Sequence, residues 1–175
     1  MSNDDRLNVL FLCTHNSARS VLAESTLNAL GGTRFRGYSA GSHPSGRVNP
    51  HALALLSQLG HDVSRLRSKS WDEFAAPGAP RLDIVITVCG DAAEEACPMW
   101  PGGPMKAHWG LPDPSRIAGD DDVKRAAFRV TQSALAERIE KLITLHEAKL
   151  TSESLAAIHA ASTMPDLVHV SEVRP

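Results

Sequence analysis

Short apolar runs rich in strand formers alternate along this chain with stretches of helical period, and that alternation predicts an α/β fold: one three-layer domain, a small parallel sheet flanked by helices. Two further observations agree. The runs at residues 8–12 and 82–88 each lead into a cysteine, Cys13 and Cys89, and in open parallel sheets ligands gather at the carboxyl ends of the strands. The 175 residues, 42% of them hydrophobic, suffice for one core of ordinary size.

Taken in order, Asn8 to Leu12 reads as a buried strand. From Arg19 to Leu30 the positions Val21, Leu22, Ser25, Leu27 and Leu30 trace a helical face, and Gly31-Gly32 ends it. Arg34 to Ser39 is a second strand, followed by a Gly, Pro and Ser loop from Ala40 to Gly46. Asn49 suits an N-cap and Pro50 the first helical position, with Ala52, Leu55, Leu56 and Leu59 as the stripe of that helix. Leu82 to Val88 is the strongest strand. Residues 90–104 hold three glycines and three prolines, the composition of a long irregular loop. A short strand is expected around Lys106 to Trp109.

Asp120, Asp121 and Asp122 place negative charge at the start of a helix expected to run to about Leu150. Its inner face is read as Val123, Ala127, Val130, Leu135, Ile139 and Leu142. The domain thus spans about residues 1–150. Residues 151–175 form a C-terminal extension of unassigned role, with a helical stretch from Glu153 to Ala161.

The net charge of −2 gives no footprint for nucleic acid, and no basic amphipathic face points to a membrane. Acidic residues Asp4 and Asp5 stand where a signal peptide is positive, and no apolar run spans a bilayer, so a cytoplasmic protein is expected. Eight histidines show no metal-ligand spacing, so no metal and no cofactor are expected. Three cysteines cannot all pair with one another, and cytosolic thiols stay reduced. Their roles are therefore catalytic, redox or inert.

The segment Cys13-Thr14-His15-Asn16-Ser17-Ala18-Arg19-Ser20 sits between a strand and a helix. Backbone N–H groups of residues 15–19 can curl into a nest at the positive end of that helix and cradle a tetrahedral oxyanion, while Arg19 adds a bidentate guanidinium. The same field favours a thiolate at Cys13 and makes it a nucleophile. Asn16 and Ser20 are read as supports of the loop, Ser20 near the thiolate.

At these residues the chain resembles the low-molecular-weight tyrosine phosphatase superfamily. Cys13 to Ser20 matches its phosphate loop, Tyr38-Ser39-Ala40-Gly41 its second strand and Val48-Asn49-Pro50 the start of its second helix. The resemblance covers roughly residues 8–148 and implies a four-stranded sheet. An oxyanion loop alone cannot separate phosphate from arsenate, which share charge and shape. A phosphorylated Cys13 is usefully released only by water, whereas an arseno-cysteine can be reduced when a second thiolate attacks its sulfur. Cys89 ends the strand expected beside that of Cys13, and neighbouring strands lie about 4.8 Å apart, within disulfide reach. Cys97, in the following loop, can pass the disulfide outward.

Val88-Cys89-Gly90-Asp91, Ala96-Cys97-Pro98 and Lys106 through Pro114 together resemble the thioredoxin-coupled arsenate reductases of that superfamily. The resemblance implies reduction of arsenate to arsenite by a Cys13/Cys89/Cys97 relay, with Asp113 protonating the departing oxygen. Thioredoxin or glutaredoxin is the implied electron donor, and phosphate or sulfate would mimic the substrate. The alternative is a phosphotyrosine phosphatase using Cys13, Arg19 and Asp113. A non-catalytic oxyanion sensor is a third reading. Family members also bind an alkali cation through positions matching Asn16, Glu24 and Ser39. A fourth ligand, an Asp, is Lys69 here, so an ammonium could take the cation's place.

Overall fold

The computed structural model describes residues 5–90 and 98–170. Four parallel strands form one sheet in the order β2-β1-β3-β4, where β1 is Leu7–Cys13, β2 Phe35–Gly41, β3 Ile84–Thr87 and β4 Met105–His108. The predicted α/β class and four-stranded parallel sheet are thus observed. β1 is apolar at nearly every position because it is covered on both faces. Val9, Phe11 and Cys13 enter one cluster and Leu10 and Leu12 the other.

The first cluster takes in the apolar sides of α1 (Arg19–Gly31), α2 (Pro50–Gln58), α3 (Asp121–Thr144) and α4 (Ser152–Ala160). The second is closed by a 3-10 turn at Trp71–Phe74 and by Trp100. Leu135, Ile139 and Leu142 of α3 are fully buried, each worth at most about 1.5–3 kcal/mol of transfer free energy.

Local chemistry sets the boundaries. Asn49 caps α2 by accepting from the His51 N–H, with Pro50 in the first turn. Asp120 caps α3 through the Val123 N–H. α3 stops at Thr144 rather than near Leu150, because the Arg34 guanidinium takes the carbonyls of Ile143 and Leu145 and the chain turns there. A separate 3-10 turn, Glu147–Lys149, follows.

Three helix faces differ from the periodic reading. Leu30 and Leu59 are exposed at 45% and 48%. α1 meets α3 through Gly31, where an added Cβ would stand 2.9 Å from Ile143, so close helix approach replaces a leucine contact. On α3, Val123 and Val130 are only half-buried, while Phe128, Thr131 and Arg138 are buried.

α4 packs on the β4 side of the sheet, and the residues after it lie along α3. Thr151 and Ser154 form a reciprocal capping box, and α4 buries Leu155 and Ile158 in the main cluster. Among the described residues no helix is long and apolar enough to cross a membrane.

Candidate active site

β1 and β3 are adjacent and parallel, so the loops that leave them emerge together. After Cys13 the chain turns through Asn16, whose φ of 47° lies in the left-handed region that asparagine tolerates better than most residues. The loop's carbonyls are taken from outside. His43 N–H donates to Thr14 O, Ser45 N–H and Ser68 Oγ donate to His15 O, and Asn49 N–H donates to Ser17 O. In a trans peptide the next N–H points opposite to its carbonyl, so these bonds turn the N–H groups of residues 15, 16 and 18 inward. Ala18 offers no side-chain cap to α1, which leaves the first-turn N–H groups without a side-chain acceptor. Gly41, opposite Cys13 in β2, permits the tight wrap, since a Cβ there would stand 2.4 Å from Thr14 O.

Cys13 and Cys89 are both nearly inaccessible, at 4% and 2% exposure, and stand as thiols packed in one cluster. Cys89 Sγ lies 3.6 Å from Thr14 Oγ1, close enough to Cys13 for its thiol to perturb the other. Segment 88–89 is held by Val88 N–H on Leu12 O and by Leu111 N–H on Val88 O. The Cys13 thiol is pushed well up from its ordinary value, first by the neighbouring Cys89 side chain and then by burial. The Ser20 hydroxyl, 3.1 Å from Cys13 Sγ, pulls the other way. This runs against the expectation of a thiolate at Cys13, since the neighbouring thiol and burial both raise its pKa.

A buried polar chain reaches the nucleophile from behind the loop. Glu24 accepts from Ser39 Oγ at 2.6 Å, so the Ser39 oxygen accepts from Asn16 Nδ2 at 2.9 Å. The same Nδ2 donates to Ser20 Oγ at 2.9 Å, and Asn16 Oδ1 accepts from the Lys69 N–H at 2.9 Å. The Ser20 hydroxyl, accepting from Asn16, remains hydrogen-bonded to Cys13 Sγ, with either group able to donate. Burial raises the Glu24 pKa, while the Lys69 charge and Ser39 lower it. Lys69 is itself buried, and burial lowers its pKa against the pull of Glu24. Its Nζ donates to Arg67 O at 3.1 Å, and the Glu24 charge acts on it from beyond ion-pair contact.

Arg19 bridges two loops. Its Nη1 donates to Leu111 O at 2.7 Å and its Nη2 pairs with Asp113 Oδ2 at 3.2 Å. Asp113 caps the 3-10 turn Pro114–Arg116, its Oδ1 accepting from Ser115 N–H and Oγ. The structure thus gathers Cys13, Arg19, Cys89, Asp113 and the loop from Thr14 to Ser20, whereas Cys97 lies outside the described residues.

Periodicity gave no sign of the Leu111 carbonyl, Gly41 or the Ser68 hydroxyl, because their contributions are backbone atoms, close approach and a lone side chain. A cleft of about 650 Å³ bordered by Phe74, Pro77, Pro80, Leu82, Trp100 and Pro101 includes none of the residues around Cys13. Among the described residues no three His, Cys, Asp or Glu side chains group as metal ligands.

Residues 8–155 match the family described as low molecular weight phosphotyrosine protein phosphatase. An arsenate reductase of Halalkalibacterium halodurans is 37% identical over 132 residues, covering 75% of this chain and 91% of the relative. Among solved structures, an arsenate reductase in a phosphate-binding state superposes with a TM-score of 0.64 at 31% identity, over 78% of this chain and 96% of the other. A thioredoxin-dependent arsenate reductase of Corynebacterium glutamicum gives a TM-score of 0.59 at 27% identity, covering 81% of this chain and 62% of that one.

Proposed function

Since the chain belongs to the low molecular weight phosphotyrosine protein phosphatase family, in its arsenate reductase branch, we propose that it reduces arsenate to arsenite through Cys13, Cys89 and Cys97 in turn. The observation that carries this reading is the second buried thiol, Cys89, which packs in the same cluster as Cys13 at the mouth of the oxyanion loop. A phosphatase has no use for it.

The steps balance as follows. Arsenate sits on the loop N–H groups and Arg19. A thiol facing the arsenate dianion carries as many protons as a thiolate facing the monoanion, so the arriving oxyanion takes the Cys13 proton. The sulfur attacks arsenic, an S–As bond forms, and one oxygen leaves as water with a proton from Asp113. The Cys89 thiolate then attacks Cys13 Sγ, and the S–As electron pair stays on arsenic, which departs as arsenite. Cys13 and Cys89 are thereby oxidised to a disulfide. The Cys97 thiolate attacks Cys89 Sγ, freeing the Cys13 thiolate, and a cytoplasmic thioredoxin reduces the Cys89–Cys97 disulfide.

Arsenate-dependent NADPH oxidation with thioredoxin and its reductase tests the reading on the wild type and on Cys13→Ser, Cys89→Ser and Cys97→Ser. Turnover lost in all three variants is expected. A wild type that is silent with arsenate yet hydrolyses a phosphate ester through Cys13 would replace the reductase with a phosphatase. Activity with glutaredoxin alone would change only the electron donor.

A further inference from the structure

The family match ends at Leu155, yet the chain beyond it is tied down at every turn. Past α4, Lys141 Nζ donates to Ala161 O at 2.8 Å and to Ser162 Oγ at 3.0 Å. Arg138, fully buried on α3, donates through Nε to His159 Nδ1 and through Nη1 to Thr163 O. The Glu137 carboxylate accepts from the Thr163 N–H. From there the segment runs back along α3, and Leu167 and Val170 bury themselves on Ala127.

Two further contacts reach the segment of residues 109–117, one from Leu155 of α4 and one from the cluster of Leu167 and Val170. At its start, the buried Trp109 indole donates to Leu155 O at 2.9 Å. At its end, Ile117 packs into the small cluster of Ala127, Leu167 and Val170. Ile117 is the residue that closes the 3-10 turn whose first cap is Asp113. Leu111 O and Asp113 Oδ2, the two groups that hold Arg19, lie between these anchors. A loop fixed at both ends keeps its carboxyl in place, and a displacement of about 1 Å at a reacting group can cost on the order of a hundredfold in rate.

We propose that residues 155–170 are a strap that positions the Asp113 segment, with Leu167 and Val170 as positioning residues for the proton transfer to the departing oxygen. The inference rests on the reading of Asp113 as general acid. It gives a part in catalysis to a stretch of chain that touches neither thiol.

The test uses reduced full-length protein, comparing wild type, Leu167→Ser/Val170→Ser, Asp113→Asn and the three substitutions combined. Arsenite release in a single turnover without added reductant requires the acid, whereas alkylation of Cys13 by iodoacetamide does not. The strap variant is expected to lose tenfold or more in maximal arsenite release, with half-saturating arsenate and the alkylation rate within twofold of wild type. Leu167→Met should restore it in a Val170 background. Adding the strap substitutions to Asp113→Asn should cause no further loss.

Arsenite release within twofold of wild type would overturn the strap, as would equal losses in release and alkylation, or losses that multiply in the combined variant. An unimpaired Asp113→Asn would instead remove the acid reading and the strap with it, a separate result. If the double variant does not fold, Leu167→Ala, which alters less surface, is read by the same criteria.

Discussion

Asn16 is the residue on which the loop's shape converges, and replacing it with alanine has a cost that can be worked from its contacts. It is fully buried, sits at a φ of 47° and makes three side-chain hydrogen bonds. Without it the Lys69 N–H loses its acceptor, which costs about 1–3 kcal/mol for a buried donor. Ser20 and Ser39 each keep another partner, so the two lost bonds cost about 1 kcal/mol apiece. Alanine in the left-handed region adds about 1–2 kcal/mol. The total is roughly 4–7 kcal/mol, a large part of the roughly 5–15 kcal/mol typical of a domain.

Urea unfolding of the reduced protein should show this loss, and thermal unfolding a fall on the order of 10–20 °C. Asn16→Gly, which relieves the backbone but restores no bond, should be more stable than Asn16→Ala by about 1 kcal/mol. A loss below about 1 kcal/mol for Asn16→Ala would mean that the loop is held by its backbone bonds alone, and the network reasoning would be wrong.

Other consequences follow from the same geometry. Cys89→Ala removes the strongest influence raising the Cys13 thiol, so the midpoint of the pH dependence of Cys13 alkylation should move to lower pH; a midpoint unchanged or higher would refute the coupling. Lys69→Met removes a positive charge that lowers the Glu24 pKa, and should destabilise the fold at pH values where that carboxylate is charged. The sign is set by the raised Glu24 pKa. Its proton is held more tightly folded than unfolded, so the variant's deficit should be smallest below the ordinary carboxylate range and grow as pH rises through the raised value. Chemical denaturation at several pH values checks this, and a deficit that shrinks with rising pH would contradict it. Arg19→Lys cannot reach Leu111 O and Asp113 together, and losing about 3 kcal/mol of charge-assisted bonding predicts a fall in kcat/KM of about a hundredfold. Retention of more than a third of wild-type kcat/KM for arsenate would argue against the bridge.

Much of this was legible in the residues. The strand ending in Cys13, the caps at Asn49 and Asp120 and the loop from Thr14 to Ser20 follow from local chemistry, and local chemistry is what a sequence displays. The pairing of the β1 and β3 ends was readable from topology, because a parallel sheet sends its loops to one edge. What escaped depends on contacts distant in sequence. The early end of α3 is imposed by Arg34 from across the fold, and the exposure of Leu30 by a glycine that lets two helices meet. The upward push on the Cys13 thiol arises from a partner far along the chain, so no reading of the loop by itself could give it.

The strand order also has a bearing on how the chain is made. β1 lies inside the sheet, between β2 and β3, while its partners come from very different points in the sequence. During synthesis β1, α1 and β2 can assemble early, but the other edge of β1 stays open until Ile84 to Thr87 has left the ribosome. Until then an apolar strand offers unpaired backbone groups, the kind of edge that recruits other chains. Ribosome-bound nascent chains from which β2 has emerged but Ile84 to Thr87 has not are therefore the stage at which this protein most needs a chaperone, and slowing translation there should raise aggregation more than slowing it after β4 has emerged.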